Sequence, residues 1–152
     1  MTEVFLDGYN LLFKMTAGDG SLEKRRKELI GKLIVYCGLK KGFRFIIVFD
    51  GSGDSLRKEE ICENLSVVFT DSKADADREL IRMAYGNRGK PTVVVSSDRK
   101  IFSKTQNHGA TALFSEEFIS AYRARTEGQV YAHCFRNKKN ESKRLEMLRL
   151  LS

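Results

Sequence analysis

Short apolar runs that each end at an aspartate recur along this chain, and they restrict its fold more than any other feature. Residues 4–6 end at Asp7 and residues 43–49 end at Asp50, in both cases with glycine next. A β-branched run that is followed by two serines leads to Asp98 in the same way. Nearly continuous apolar runs of this length predict buried strands of a parallel sheet with both faces covered.

Helical spacing separates these strands. Further strands are predicted at 65–69, 92–95 and 110–114, and helices at 22–37, from 73, at 98–105 and at 115–125, with a short polar helix within 56–64. The alternation predicts a three-layer α/β/α fold around a parallel sheet of about five strands in the order 3-2-1-4-5, so that the first strand is central.

Composition limits the class of protein. With 152 residues and 41% hydrophobic content, the chain fits one globular domain. No apolar run approaches the roughly 20 residues of a membrane span, and the start lacks a secretory pattern. The three cysteines are far apart and predict reduced thiols with neither a zinc site nor a disulfide. We therefore expect a soluble cytoplasmic protein, with one folded domain at 1–128 and a basic, partly helical tail at 129–152.

The aspartates are expected to meet at one edge of the sheet. In an open parallel sheet, the loops at the carboxyl ends of the strands form the ligand crevice. Asp7, Asp50 and Asp98 would converge there, with Asn10 one turn after Asp7. The competing interpretation is that each aspartate only caps a turn or a helix.

A further acid is expected from the start of the helix near residue 77. Asp77 lies three residues before Leu80 and seven before Ala84, so it projects from the first turn on the core side of that helix. Asp75 falls outside this phase and is the alternative, as a cap or an additional acid. Carboxylates gathered in one crevice repel unless a cation neutralises them. With neither histidine nor cysteine nearby, the donors are all oxygen, which favours Mg²⁺ or Mn²⁺ over zinc.

The net charge of +7 indicates a polyanionic partner. A hard cation held by carboxylates in a basic protein predicts phosphodiester hydrolysis, because the metal activates water and stabilises the charge on phosphate. The basic side chains expected to contact this polyanionic partner are Lys24, Arg25, Arg26, Arg99, Arg136, Lys138, Lys139, Lys143 and Arg144. The tail has helical spacing over 141–150 and is expected to dock on the domain, on a second copy or on the nucleic acid, with its basic face toward that nucleic acid. The alternative is a frayed tail.

Four motifs in this order carry a family resemblance. DGYN (7–10), VFDG (48–51), ADADRELI (74–81) and VVSSDR (94–99) resemble the YacP-like branch of the NYN domain family, whose members are PIN-like nucleases. The resemblance covers roughly residues 2–125. It implies metal-dependent endonuclease cleavage of RNA, in some members linked to ribosomes.

The resemblance also implies roles for individual residues. It places Asp7, Asn10, Asp77 and Asp98 at the catalytic and metal-site positions, with Asn10 orienting Asp7 or the scissile phosphate. Asp50 and Asp75 are further candidates for the metal, and Asp75 competes with Asp77 for one family position. At position 102, some relatives in the wider superfamily carry another acid where this chain has phenylalanine, which leaves a second metal in doubt.

Other protein classes give weaker explanations of the same residues. A haloacid-dehalogenase-type phosphatase needs a second aspartate where this chain has Tyr9, and a receiver domain needs paired acids that Gly8 interrupts. The serious rival is a catalytically inactive RNA- or ribosome-binding module of the same fold. A homodimer is compatible with either.

Overall fold

The structure, a computed structural model, describes residues 1–53, 56–71, 76–128 and 140–152. Its strands are β1 (Thr2–Asp7), β2 (Phe43–Gly53), β3 (Arg57–Cys62), β4 (Leu65–Asp71), β5 (Thr92–Val95) and β6 (Thr111–Leu113). Its helices are α1 (Gly8–Met15), α2 (Leu22–Leu39), α3 (Ala76–Gly86), α4 (Arg99–Asn107), α5 (Ser115–Thr126) and α6 (Glu141–Leu151).

The sheet has six strands in the order β3-β4-β2-β1-β5-β6. The strands β4, β2, β1, β5 and β6 are parallel, and they lie in the order that the sequence predicts, with β1 central. The expectation of a short helix within 56–64 is wrong: this segment contains β3, which pairs antiparallel with β4. Residues 57–60 are all exposed and charged, as is common on an edge strand that must not pair with another chain.

Helices cover both faces of the sheet, which confirms the three-layer architecture. One core cluster joins alternate β1 side chains to Leu33 of α2, Phe118 of α5 and Leu148 of α6. The other joins Phe5 of β1 to α3 and α4. Such alternation follows from the two-residue period of a strand. No helix within the described ranges combines the length and apolar character needed to cross a membrane.

The C-terminal helix packs into the first of these core clusters. Leu148 and Leu151 are fully buried, and the Tyr36 hydroxyl donates to the carbonyl of Leu151 over 2.6 Å. Lys40 Nζ donates to the carbonyls of Leu150 (2.9 Å) and Ser152 (2.7 Å), where a cation complements the helix dipole. Docking on the domain is therefore the alternative that the structure supports for α6. The division at residue 128 stays a prediction.

Candidate active site at the carboxyl edge of the sheet

Asp7 ends the central strand, and α1 begins at the next residue. Its carboxylate is buried, with 9% of the residue exposed, and Oδ2 accepts a hydrogen bond from Ser96 Oγ over 2.8 Å. The hydroxyl of Ser96, just beyond β5, in turn accepts from the backbone N–H of Asp98 over 3.1 Å. Ser96 thus links the two strand ends and fixes the orientation of the Asp7 carboxylate.

Glycine follows Asp7 and Asp50 because neighbouring strands leave no room for a side chain. A Cβ on Gly8 would lie 2.7 Å from the carbonyl oxygen of Val48 and would overlap the Phe49 ring. A Cβ on Gly51 would overlap the carbonyl oxygen of Thr70. The repeated Asp-Gly pair therefore marks places where the chain leaves one strand against the backbone of the next.

Two of the other predicted acids, Asp77 and Asp50, affect the pKa of Asp7. The pKa of Asp7 is raised from 3.8 to about 6, chiefly by burial and against the hydrogen bond from Ser96, which lowers it. Repulsion from Asp77 and Asp50 contributes to this rise, and the nearby backbone amide of Asn10 opposes it. The carboxylates of Asp77 and Asp50 are thus close enough to Asp7 to act on its charge, as expected for acids converging on one crevice.

Asp50 and Asp98 also hold helix N-termini. Asp98 Oδ1 accepts from the backbone N–H groups of Lys100 (2.8 Å) and Ile101 (3.2 Å), which makes it the N-cap of α4. Asp50 Oδ1 accepts from the backbone N–H of Ala76, the first residue of α3. The capping interpretation is therefore confirmed for Asp98. Asp50 lies in β2 and likewise accepts a hydrogen bond from the N-terminus of a helix. This bond fixes the position of the first turn of α3.

Asp77 lies half-buried in that first turn, one residue beyond the N–H that Asp50 caps. It has an interaction partner besides Asp7. Asp75, the alternative acid, lies outside the described residues. Whether Asp77, Asp98 or Asp50 binds a metal stays a prediction.

Asn10 joins three segments around the crevice. Its Oδ1 accepts from the backbone N–H of Ser97 over 3.2 Å and from the Ser115 hydroxyl. These bonds hold α1 against the loop after β5 and the start of α5. Next to them, Lys14 Nζ contacts the Glu116 carboxylate and donates to Ser97 Oγ over 3.0 Å. The structure thus gives Asn10 a positioning contact within the fold, while its predicted role toward phosphate stays a prediction.

The basic residues predicted to contact RNA do not form one surface. Arg26 of α2 donates to the Tyr9 hydroxyl two residues beyond Asp7, and Arg99 follows Asp98, so these two belong to the carboxyl edge. Lys24 and Arg25 lie beside Arg26 in α2. Lys143 instead donates to the carbonyl of Gly109, just before β6 and thus at the opposite edge. Arg136, Lys138 and Lys139 lie outside the described residues.

The structure contradicts the prediction that Arg144 contacts RNA. This arginine is fully buried: Nη2 donates to both carboxylate oxygens of Glu117, at 2.6 and 2.7 Å, and Nε donates to the carbonyl of Ala112 over 3.1 Å. Its guanidinium also lies over the rings of Phe102 (4.8 Å) and Phe114 (5.6 Å). Arg144 therefore anchors α6 and cannot reach RNA in this fold.

A family comparison agrees with this geometry. The family model of the YacP-like NYN domain matches residues 4–150. The chain belongs to the YacP-like NYN domain family. This family has a PIN-like ribonuclease fold, and its members are generally ribonucleases. The matched range reaches residue 150, within α6, and so extends beyond the 2–125 expected from the motifs.

Solved structures with the same fold include two of Rae1 (YacP) from Bacillus subtilis. One has 23% sequence identity and a TM-score of 0.64, and covers 99% of this chain and 88% of that chain. A mutant of the same protein has 22% identity and a TM-score of 0.61, and covers 99% of this chain and 92% of that chain. At this identity the likeness shows the fold alone. No curated protein matches the chain in sequence.

The candidate site contains carboxylate oxygens, which are suitable ligands for a hard cation. Within the described residues, no group of three or more His, Cys, Asp or Glu side chains is arranged to hold a metal ion. The acids that act on Asp7 are carboxylates, and a divalent cation between them would relieve the repulsion that raises its pKa. The donor chemistry therefore fits Mg²⁺ or Mn²⁺.

Two buried polar residues were missed by sequence analysis, and one of them, Ser96, belongs to the site. Ser96 is 2% exposed, and the signal that could have revealed it is a small polar residue directly after a buried central strand. Glu79 is 6% exposed in α3, and its carboxylate accepts from Arg82 Nε over 3.0 Å. A Glu–Arg pair three residues apart on a helix was the available signal.

Proposed function

We propose that this chain is a divalent-metal-dependent ribonuclease that hydrolyses phosphodiester bonds within RNA, with Asp7, Asp77 and Asp98 as the metal ligands. Asp50 and Asp75 are further candidates. The observation that carries the proposal is the buried carboxylate of Asp7, at the end of the central strand and within the electrostatic reach of Asp77 and Asp50. Family membership supports the ribonuclease class.

Each side chain has a definite part in this proposal. Mg²⁺ or Mn²⁺ would supply an activated water and stabilise the charge that develops on phosphate. Ser96 holds the Asp7 carboxylate in one orientation through its 2.8 Å hydrogen bond. Asn10 keeps the loop after β5 against α1. Arg99 is exposed at the start of α4, and its charge would attract the RNA backbone toward the crevice.

A catalytically inactive RNA- or ribosome-binding module is the second candidate. The observation that favours it is that Asp50 and Asp98 each satisfy a helix N-terminus, so a structural role alone would account for both. The buried and repelled Asp7 carboxylate is harder to explain in this way, because burying a charge beside other acids destabilises the fold.

Cleavage of unstructured RNA separates the two candidates. The full chain should cut a circular single-stranded RNA in Mn²⁺ or Mg²⁺ and not in EDTA, since a circle can be opened only by an endonuclease. A variant of the exposed loop acid, Asp19→Asn, serves as the matched control and should cut at the wild-type rate. A chain that binds RNA but leaves the circle intact in both metals would support the inactive module.

A further inference from the structure

Four aromatic rings form an unbroken series of contacts at the carboxyl edge of the sheet, on the face that carries α1 and α2. Phe49 stacks on Phe69 with ring centroids 5.7 Å apart, and Tyr9 meets Phe49 edge-on at 5.0 Å. Phe13 then stacks on Tyr9 at 6.2 Å. Phe49 is fully buried, whereas Phe13 is 58% exposed. The series therefore passes through the core at Phe49 and reaches solvent at Phe13.

Arginines lie over both ends of this series. The guanidinium of Arg25 is 5.0 Å from the centre of the Phe13 ring. Arg57 of β3 is 4.4 Å from the centre of the Phe69 ring, and Arg26 is 5.8 Å from it. Cations and rings in this arrangement attract each other, and each guanidinium adds a planar, weakly hydrated face to the surface.

Two of these three arginines carry a charge that no described carboxylate pairs with, whereas Arg57 Nε lies 3.3 Å from a carboxylate oxygen of Glu59. In the described part of the chain, neither Arg25 nor Arg26 forms an ion pair with a carboxylate. Neutral groups set their positions instead: Arg25 Nε donates to Thr16 Oγ1 over 3.1 Å, and Arg26 Nη1 donates to Tyr9 Oη over 3.0 Å. Both arginines also lie near the N-terminus of α2, where the helix dipole disfavours cations. A bound anion would offset this cost.

The surface adjoins the candidate active site. Tyr9 is two residues beyond Asp7, and Phe49 directly precedes Asp50. A strand of RNA with its scissile phosphate at Asp7 would pass over the same edge. Besides the acids of the site, planar rings and cations are exposed there, and these match the two features of every nucleotide, a base with a π face and a phosphate.

We propose that an aromatic–arginine surface binds the unpaired bases and the backbone of single-stranded RNA next to the cleavage site. This surface consists of Tyr9, Phe13, Phe69, Arg25, Arg26 and Arg57. Bases stack on the exposed ring of Phe13 and on the guanidinium of Arg57, and the arginines contact phosphates. Paired bases are already stacked on each other, so the surface selects single strands over duplexes. The inference rests on the proposed function, for which it names the substrate class.

The test is binding of an unstructured RNA oligonucleotide and its duplex in EDTA, by fluorescence anisotropy. Phe13→Leu keeps an apolar side chain but removes the stacking face, so it should weaken single-strand binding about tenfold. Phe13→Tyr restores the ring and should bind like wild type. Tyr85→Leu is the matched control. Tyr85 is 48% exposed, and the Arg88 guanidinium lies 4.3 Å from the centre of its ring. Tyr85 is about 13 Å along α3 from Ala76, toward the opposite edge of the sheet, so this substitution should not change RNA binding.

Salt dependence separates stacking from charge. Arg57→Gln should reduce the slope of log affinity against log salt by about 0.7, since one phosphate contact to a single strand is lost. Phe13→Leu should lower the affinity and leave the slope unchanged. Both side chains are exposed, and a melting curve for each variant confirms that it folds.

Wild-type affinity in both Phe13→Leu and Arg57→Gln would overturn the inference, and so would equal binding of duplex and single strand. If none of the substitutions changed RNA binding, the exposed surface would be left to a protein partner. That result would also overturn the inference. Because binding is measured in EDTA, an absence of cleavage refutes only the proposed ribonuclease function. Cleavage with unchanged binding in every variant refutes only the surface.

Discussion

Replacing Arg144 with alanine should destabilise the fold by about 4 kcal/mol, because it removes one partner of a buried ion pair. Arg144 is fully buried, and the side chain of Glu117 is only 11% exposed, so water cannot solvate the carboxylate that remains. The change also removes the contact with the Phe102 ring and the hydrogen bond to the Ala112 carbonyl. For a protein of this size, such a loss lowers the melting temperature by roughly 8–16 °C.

Thermal and denaturant unfolding of five variants would measure this. Lys143→Ala is the matched control. The amine of this neighbouring residue is exposed and donates to the Gly109 carbonyl, so the effect should stay within about 0.5 kcal/mol. Arg144→Lys should be intermediate, because lysine keeps the charge without the planar fork. Arg144→Met with Glu117→Gln should be more stable than Arg144→Met alone, since no unpaired carboxylate remains and Gln still accepts from the Phe114 N–H.

The refuting result is an Arg144→Ala protein that melts within about 2 °C of Lys143→Ala. In that case Arg144 would not be held inside the domain, and its predicted contact with RNA would be reopened. RNA affinity provides a second reading. At a temperature where Arg144→Lys is folded, its affinity for RNA should equal that of wild type.

Three further predictions concern the carboxyl edge. The pKa of Asp7 is raised from 3.8 to about 6, so its charge destabilises the folded state as the pH rises from about 4 to about 6. Asp7→Asn should therefore stabilise the metal-free protein by up to about 3 kcal/mol near pH 7 and by little near pH 4, as measured by urea unfolding in EDTA; equal stabilisation at both would contradict the pKa. Gly51→Ala should lower the melting temperature, because its Cβ would overlap the Thr70 carbonyl, whereas Gly38→Ala in α2 meets nothing within 4 Å and should raise it slightly. Asp77→Asn should reduce metal-dependent cleavage more than Asp75→Asn, and the reverse order would assign the ligand to Asp75.

The parallel sheet could be predicted because it follows from local patterns. Each buried strand is a continuous apolar run, and the helices between them force right-handed crossovers that leave few possible orders. β3 could not be predicted in the same way. Its exposed, charged residues 57–60 do not alternate between apolar and polar side chains. They form a strand because they pair with the edge of β4.

Arg144 shows a different limit. Its spacing of four and seven residues before Leu148 and Leu151 places it in the buried stripe of α6, yet a cation in a basic segment suggests a solvated face. The groups that make burial possible are Glu117 and Ala112, which are 27 and 32 residues away. A partner at that distance cannot be recognised from spacing along one helix.

The acids of the site lie between these cases. The positions of Asp7 and Asp98 after two neighbouring strands that end at the same edge followed from the topology. The serine that connects them did not, because the hydrogen bonds of Ser96 depend on how β1 and β5 lie side by side. Likewise, Asp50 caps α3 only because the bulged end of β2 reaches the start of that helix.

Cleavage of single-stranded RNA by Asp7→Asn in Mn²⁺ tests the central claim most directly. Asparagine keeps an oxygen for the Ser96 hydroxyl and removes only the charge. The proposed metal site predicts that cleavage is abolished, while the protein is at least as stable as wild type and still binds the RNA in EDTA. Cleavage by Asp7→Asn at the wild-type rate would show that the buried carboxylate at the end of β1 is not the catalytic centre.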